Sequence, residues 1–543
     1  MMVAQAITAE NFFAATEEKF EEIVGRMRSD EAMHMNHSAL EKLLETEGRE
    51  LLRRVFENHL ALRAGQERTR GREGTVVGED GQERGEQRVR ERRLMSVFGP
   101  VTVPRVGFSA AGNGSLFPLD AELNLPTEMY SHGVRRRSAE EAAKGSFDES
   151  VLALGATTGA TVPKRQFEEQ VKLAATDFEA FYAMREAQAV STVMAPNKGY
   201  SVLPHLLGVA ESGAVLVITT DAKGVVMRTA DLREATRKAA EGRQHKLKRR
   251  MSKGEKRNAK RMAQVAAVYT IGRFCRTPED IVRELAPVRE AVQKRPRPEH
   301  KRVWASVAEE PEVVIRQAFE EAHARDPEHR KTWVALSDGN ETQLRLLEEL
   351  AREYGVPLTI VLDVIHVLEY LWKAAYVFHD EGTPEAEAWV GTRLLQVLRG
   401  KSSDVAAGIR RSATLRELRA ADRKPADKCA NYLLKYGLRL HYDSYLAKGL
   451  PIATGVIEGA CRYLVKDRMD ITGARWGLSG AEAVLRLRSL RASGDFNEYW
   501  TFHEKQEWER NHAARYADGY IPPLRPPAST NVPVAQVRLC VVK

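Results

Sequence analysis

Residues 332–366 read TWVALSDGNETQLRLLEELAREYGVPLTIVLDVIH. Thr332 to Ser337 is a short apolar run suited to a buried strand, and it closes on Asp338. Gly339-Asn340 interrupts the run, after which Thr342 to Tyr354 carries leucines at helical spacing. Pro357 to Leu362 is a second β-rich run, closing on Asp363 three residues before His366. Strand, helix and strand in succession predict an α/β fold. In open α/β sheets functional groups gather beyond the carboxyl ends of the strands.

The same pattern recurs upstream. Val215 to Thr220 ends in Asp221, and Gly224 separates it from Val225-Val226-Met227, which predicts a strand, a turn and a returning strand. Met262 to Ile271 predicts a further strand. Downstream, residues 367–450 have helical periodicity with no strand signal. They lead to Ala453 to Trp476, ATGVIEGACRYLVKDRMDITGARW, a helix expected to start at its glycines and to stop at Thr472-Gly473. Glu458 is followed on one face by Arg462 and Lys466 at four-residue steps. One reading is a surface pair between Glu458 and Arg462, worth about 0.2–0.5 kcal/mol. The other is a metal-binding carboxylate beside cations that hold a phosphate backbone.

Composition narrows the choice. The chain has 543 residues, 43% hydrophobic and 29% charged, as expected of several soluble domains, and no apolar run approaches the length that spans a bilayer. With no leader pattern at Met1, a cytoplasmic location is expected. Cys275, Cys429, Cys461 and Cys540 are scattered without a CxxC pair, which argues against a disulfide framework and a structural zinc site. The formal charge is +8, and ten Lys or Arg fall in the twenty residues 242–261, opposed only by Glu255. A nearly single-signed run of this kind, including Lys248, Arg249, Arg250, Lys256 and Arg257, favours phosphate contact over a solvated face.

Toward the N-terminus, residues 1–64 form a helical region, 65–93 a charged linker, and 94–135 a small β/loop module with a hairpin turning at Gly99-Pro100. Within residues 136–200, Phe147 to Leu154 and the segment after Val162-Pro163 predict two helices joined near Thr157-Thr158-Gly159. A helix-turn-helix would present Lys164 and Arg165 to a DNA groove, but a plain two-helix hairpin has the same spacing. The core is expected in residues 201–366, with a basic insert at 235–262, a helical insertion at 367–450 and a closing helix at 451–511. Residues 512–543 read as an extended tail.

Asp221, Asp338 and Asp363, each at a strand end, together with Glu458 make a carboxylate set suited to hard cations such as Mg²⁺ or Mn²⁺. Two such ions about 3.5–4 Å apart support in-line phosphoryl transfer.

At this level of detail the chain resembles a family. The ITTD of Ile218 to Asp221, the ALSDGN of Ala335 to Asn340, the Asp363-Val-Ile-His366 step and TGVIEGACRYLVKDRMDITGARW resemble the DDE-type transposases of bacterial insertion sequences, most closely the ISKra type. The resemblance extends through SLFPLDAELNLP and spans residues 90–511. It implies an RNase H-like core with a helical insertion, related to that of Mutator-like transposases, which cleaves transposon ends and joins 3′-ends to target DNA. It further implies catalytic, metal-binding roles for Asp221, Asp338 and Glu458 with two Mg²⁺ or Mn²⁺ ions, and a supporting role for Asp363 and His366. Arg462, Lys466, Arg475 and Trp476 become candidate DNA contacts, and the helix-turn-helix reading gains on the hairpin. Double-stranded DNA, a homodimer or higher oligomer on DNA, nucleoid association and no membrane are the corresponding expectations.

One departure stands out. Relatives carry paired cysteines where this chain has Gly107 to Ser115 without any, so no zinc is expected there. The competing readings are a domesticated relative that only binds DNA, and a haloacid dehalogenase-type phosphatase. The latter wants an acid two residues after its nucleophile, where this chain has Lys223.

Overall fold

The computed structural model describes residues 9–194, 214–241, 259–285, 294–471 and 473–526. The chain divides into two compact units. The first comprises Met1–Glu141, Phe147–Gln170 and Trp500–Lys543, and the second Ala142–Ser146 and Val171–Tyr499.

In the first unit, helix Ala9–Met27 is followed by the long helix His37–Arg70, whose start is capped by the Asn36 side chain. Two short strands, β1 (Val76–Val77) and β2 (Glu83–Arg84), pair antiparallel, and β3 (Glu86–Ser96) pairs antiparallel with β4 (Gly99–Ser109). The charged linker expected at residues 65–93 is therefore a helix end and a pair of ribbons. Two of its arginines are paired internally. Arg72, with a side chain only 1% exposed, lies between Glu67 and Glu122, and Arg84 pairs with Asp80 at 2.8 Å. Paired opposite charges need no apolar alternation to hold a strand, which is why composition misread the segment. The hairpin turn also shifts, to Val97-Phe98, because Ser96 already faces Gly99.

Helices Phe147–Thr157 and Lys164–Leu173 form as expected, with Phe147 and Phe167 packed edge to face at 6.1 Å. Residues 158–163 join them. A helix-turn-helix uses a turn of about three to four residues, so the longer connection fits the plain two-helix hairpin better.

The second unit is a mixed α/β domain built on a five-stranded sheet in the order β7-β6-β5-β8-β9. The strands are β5 (Val215–Val226), β6 (Lys260–Ile271), β7 (Glu299–Ser306), β8 (Thr332–Ser337) and β9 (Leu358–Leu362). β5, β6 and β7 run antiparallel in succession, whereas β8 and β9 run parallel to β5. Parallel pairing needs a crossover, and helices Pro311–Arg325 and Glu341–Glu353 supply the two.

Two strands differ from expectation. β5 does not turn at Gly224 but stays paired with β6 to Val226, and a Cβ at Gly224 would meet Lys260 Cδ at 2.6 Å. The glycine therefore allows a close approach within one long strand. β7 carried no readable signal, since it opens Glu299-His300-Lys301-Arg302 and owes its burial partly to an Arg302–Glu321 ion pair at 2.5 Å.

The helical block comes after β9: Val364–Ala375, Pro384–Leu398, Ser402–Leu415, Ala420–Lys435 and Tyr442–Ala447. It shares one apolar core with the sheet, where Val217, Leu336 and Leu362 meet Leu371, Leu398 and Leu433, all fully buried. No helix among the described residues is long and apolar enough to cross a membrane.

Candidate functional site

Strand register brings the acids together. β5 pairs with β8 up to Thr219 opposite Leu336, yet continues alongside β6. Asp221 consequently sits where β5 runs past the end of β8, with one flank open. Two residues beyond Thr219 and Leu336 lie Asp221 and Asp338, at one level across the sheet. One residue beyond the Ser337–Leu362 pair lie Asp338 and Asp363, again at one level. Neighbouring strands are about 4.8 Å apart, so the three acids form a row across adjacent strand ends.

Each acid is held differently. Asp221 Oδ1 accepts the Ala222 N–H at 2.6 Å. Asp338 Oδ1 accepts the Asn340 N–H at 2.9 Å across Gly339, whose φ of +97° a side chain would strain, and Asn340 in turn caps the next helix. Tyr436 from the helical block donates to the Gly339 carbonyl at 2.8 Å. Asp363 is fully buried, and its N–H reaches the Ser337 carbonyl at 2.9 Å. Its side chain caps helix Val364–Ala375 through the Ile365 N–H at 2.9 Å and accepts a hydrogen bond from the Thr454 hydroxyl. The Glu458 N–H donates to the Thr454 carbonyl at 3.1 Å, so one threonine ties both acids into place.

Asp363, His366 and Glu458 each offer a ligand atom, all within 4.8 Å of one another, and this is the one such group among the described residues. The carboxyl of Glu458 is pushed above the ordinary glutamate range, by burial first, then by the negative charges of Asp363 and Asp221 and a hydrogen bond with Asp363. His366 opposes the shift. Two oxygen donors and an imidazole suit a divalent ion such as Mg²⁺ or, better with the nitrogen, Mn²⁺. Asp363, assigned a supporting role from sequence, thus contributes its own carboxylate to the cluster. Asp338 stands on the neighbouring strand and is not in it.

Cys461 was missed by sequence reasoning, which counted it only as an isolated thiol. It is 4% exposed, and its Sγ lies 3.1 Å from Asp221 Oδ2. Burial, Asp221 and Glu458 push the thiol upward, so it stays protonated and donates. Its position three residues after Glu458 was the available signal.

The segment carrying Glu458 is not one α-helix. Helix Gly455–Ala460 passes into a π turn, Cys461–Lys466, and then a short helix, Asp467–Met469. The extra residue in the π turn rotates the side chains beyond it about the helix axis. Arg462, 79% exposed, lies 3.8 Å from Asp467 and pairs there rather than with Glu458. Lys466 and Arg475 are exposed. Trp476 is not available for DNA contact: it is 5% exposed, its indole N–H donates to the Met469 carbonyl at 3.1 Å, and its backbone bonds to Val226 and Arg228 tie the segment to β5. Its aromatic ring serves as an anchor. Lys164 is half exposed and pairs with Asp148 at 2.8 Å, and Arg165 is exposed. Lys248, Arg249, Arg250, Lys256 and Arg257 lie outside the described residues.

No protein-family model and no curated protein matches this chain.

The raised Glu458 carboxyl has a consequence for stability. A carboxyl that binds its proton more tightly folded than unfolded favours the fold at low pH, and that contribution is lost as pH rises through the folded value. At neutral pH and without divalent ions, Glu458→Gln is therefore expected to raise the thermal midpoint, and added Mn²⁺ to stabilise the original chain more than the variant. Calorimetric scans with and without Mn²⁺ check both signs; a lowered midpoint for the variant would contradict the repulsion.

Proposed function

We propose that this chain is a DNA transposase of the DDE type, whose second unit is an RNase H-like core acting by metal-dependent phosphoryl transfer. Three features support the reading. The sheet has β5 at its centre, antiparallel partners on one side and parallel ones on the other, which is the strand arrangement that such a core requires. A helical block separates the last strand from Glu458. The observation that carries the proposal is the convergence of Asp363, His366 and Glu458 with Asp221 in their field.

Asp363, His366 and Glu458, with Asp221, would hold the ions, and Asp338 stands beside them. Bound Mg²⁺ or Mn²⁺ would supply Lewis-acid activation of a water or 3′-hydroxyl and stabilise the leaving oxygen. The protein's own part is to place and desolvate the carboxylates. The Thr454 hydroxyl fixes Asp363, the Cys461 thiol fixes one oxygen of Asp221, and the Glu458 helix completes the set. Exposed Lys223, Arg462, Lys466 and Arg475 supply positive charge for the backbone of a duplex.

The test uses the full chain with duplexes taken from the ends of its own element. Nicking at the end in Mg²⁺, absent in chelator, is the expected result. Tight binding with no nicking in Mg²⁺ or Mn²⁺ would instead favour a protein that only recognises DNA. In the same assay, Arg462→Ala and Lys466→Ala should each lower the salt dependence of binding, by about 0.9 in the slope of log affinity against log salt for every phosphate no longer neutralised. An unchanged slope would remove these cations from the interface.

A further inference from the structure

The π turn after Glu458 creates a surplus of acceptors. The Asp467 N–H bonds back five residues to the Arg462 carbonyl and also lies against the Val465 carbonyl, whereas the Asp470 N–H bonds back four, to Lys466. Passing from five-residue to four-residue bonding leaves the segment Tyr463 to Val465 with one carbonyl more than the Arg468 and Met469 N–H groups supply. Leu464 and Val465 are buried from water. An unserved carbonyl at this depth would disfavour the π turn and drive it back to α geometry.

Arg488, on helix Leu478–Ser493, reaches this point. Its Nε donates to the Leu464 carbonyl at 2.9 Å, and its other nitrogens donate to the carbonyls of Tyr463 and Ala143. All three bonds go to backbone oxygens, and a guanidinium is the side chain whose fixed fork serves three acceptors at once. The π turn begins at Cys461, directly after the helix that holds Glu458. From the stretch that leads into the turn, Cys461 Sγ meets Asp221 and Glu458 meets Asp363.

We propose that Arg488 is a positioning residue for the candidate metal site: by serving the surplus carbonyls of the π turn, it holds the register that presents Glu458 and Cys461 to the strand-end acids. This rests on the reading of those acids as a metal site, and Arg488 itself touches no metal or substrate.

The experiment compares the full chain with Arg488→Met, which keeps bulk but removes every donor, and Arg488→Lys, which restores charge and some donors. Mn²⁺ alone is the probe, with Glu458→Gln showing which binding belongs to the site, and amide hydrogen exchange follows residues 461–470. R488M is expected to bind Mn²⁺ about tenfold more weakly, in line with the loss of other residues that orient ligands from behind. It should also exchange faster in 461–470 alone, with R488K between the two. Unchanged exchange and unchanged Mn²⁺ affinity in R488M would overturn the proposal. Should R488M fail to fold, R488K decides by the same two readouts. If the original chain binds no Mn²⁺ through Glu458, the metal reading falls, and exchange in 461–470 by itself decides whether Arg488 holds the turn.

Discussion

Asp221→Asn and Glu458→Gln are each expected to reduce nicking in Mg²⁺ by about 10³-fold or more, a loss of about 4 kcal/mol of transition-state stabilisation, with duplex binding nearly unchanged. Both changes keep shape and remove one negative charge, so the fold is expected to survive while the proposed hold on a divalent ion is lost. Asp338→Asn and Asp363→Asn then separate the two ways in which the site could be completed. The family resemblance makes Asp338 the second essential acid, and the strand register puts it level with Asp221. The cluster geometry puts an Asp363 oxygen beside Glu458 instead. If D338N loses nicking and D363N keeps a tenth or so, Asp363 is an orienting residue whose hydrogen bond trims Glu458. The reverse result would make Asp363 the ligand and Asp338 the cap of its turn. Wild-type nicking by D221N or E458Q would remove the metal site from the reaction altogether.

The second large effect is on stability. Glu321 pairs with Arg302 at 2.5 Å and with Arg325 at 2.5 Å, all three largely buried, and Arg302 lies 3.5 Å from the Tyr182 ring centroid. Burial pushes the Glu321 carboxyl up, but the charges of Arg325 and Arg302 outweigh it and hold the group well below the ordinary glutamate range. Glu321→Gln takes from two buried arginines the acid they share, and is expected to cost about 3–5 kcal/mol. A group whose folded value is depressed contributes stability above its unfolded value, and that contribution is lost as pH falls through the folded one. The original chain should therefore lose stability on acidification below pH ~4.5, more steeply than the variant. Urea unfolding at neutral and acid pH checks both statements; equal midpoints at neutral pH would mean that the network is solvated.

The sequence by itself determined the parts that depend on local pattern. The strands β8 and β9, the intervening helix and the helical block of residues 367–450 arise from apolar period, chain punctuation and length, and each formed where expected. The acids Asp221, Asp338, Asp363 and Glu458 were legible because a charged residue closing an apolar run is conspicuous. Other features depended on partners distant in sequence. β7 pairs along β6 and buries Arg302 against Glu321, and within residues 65–93 Arg72 and Arg84 find acids. β5 continues past Gly224 because β6 lies alongside it. Only tertiary structure could take Trp476 from the surface to an anchor, turn Arg462 toward Asp467, and set Cys461 against Asp221. The turn of Arg462 toward Asp467 falls within the π turn, whereas Trp476 is fixed by its backbone bonds to Val226 and Arg228. Helical spacing assumes 3.6 residues per turn, and a turn stabilised by a side chain from another helix does not announce itself in the residues that adopt it.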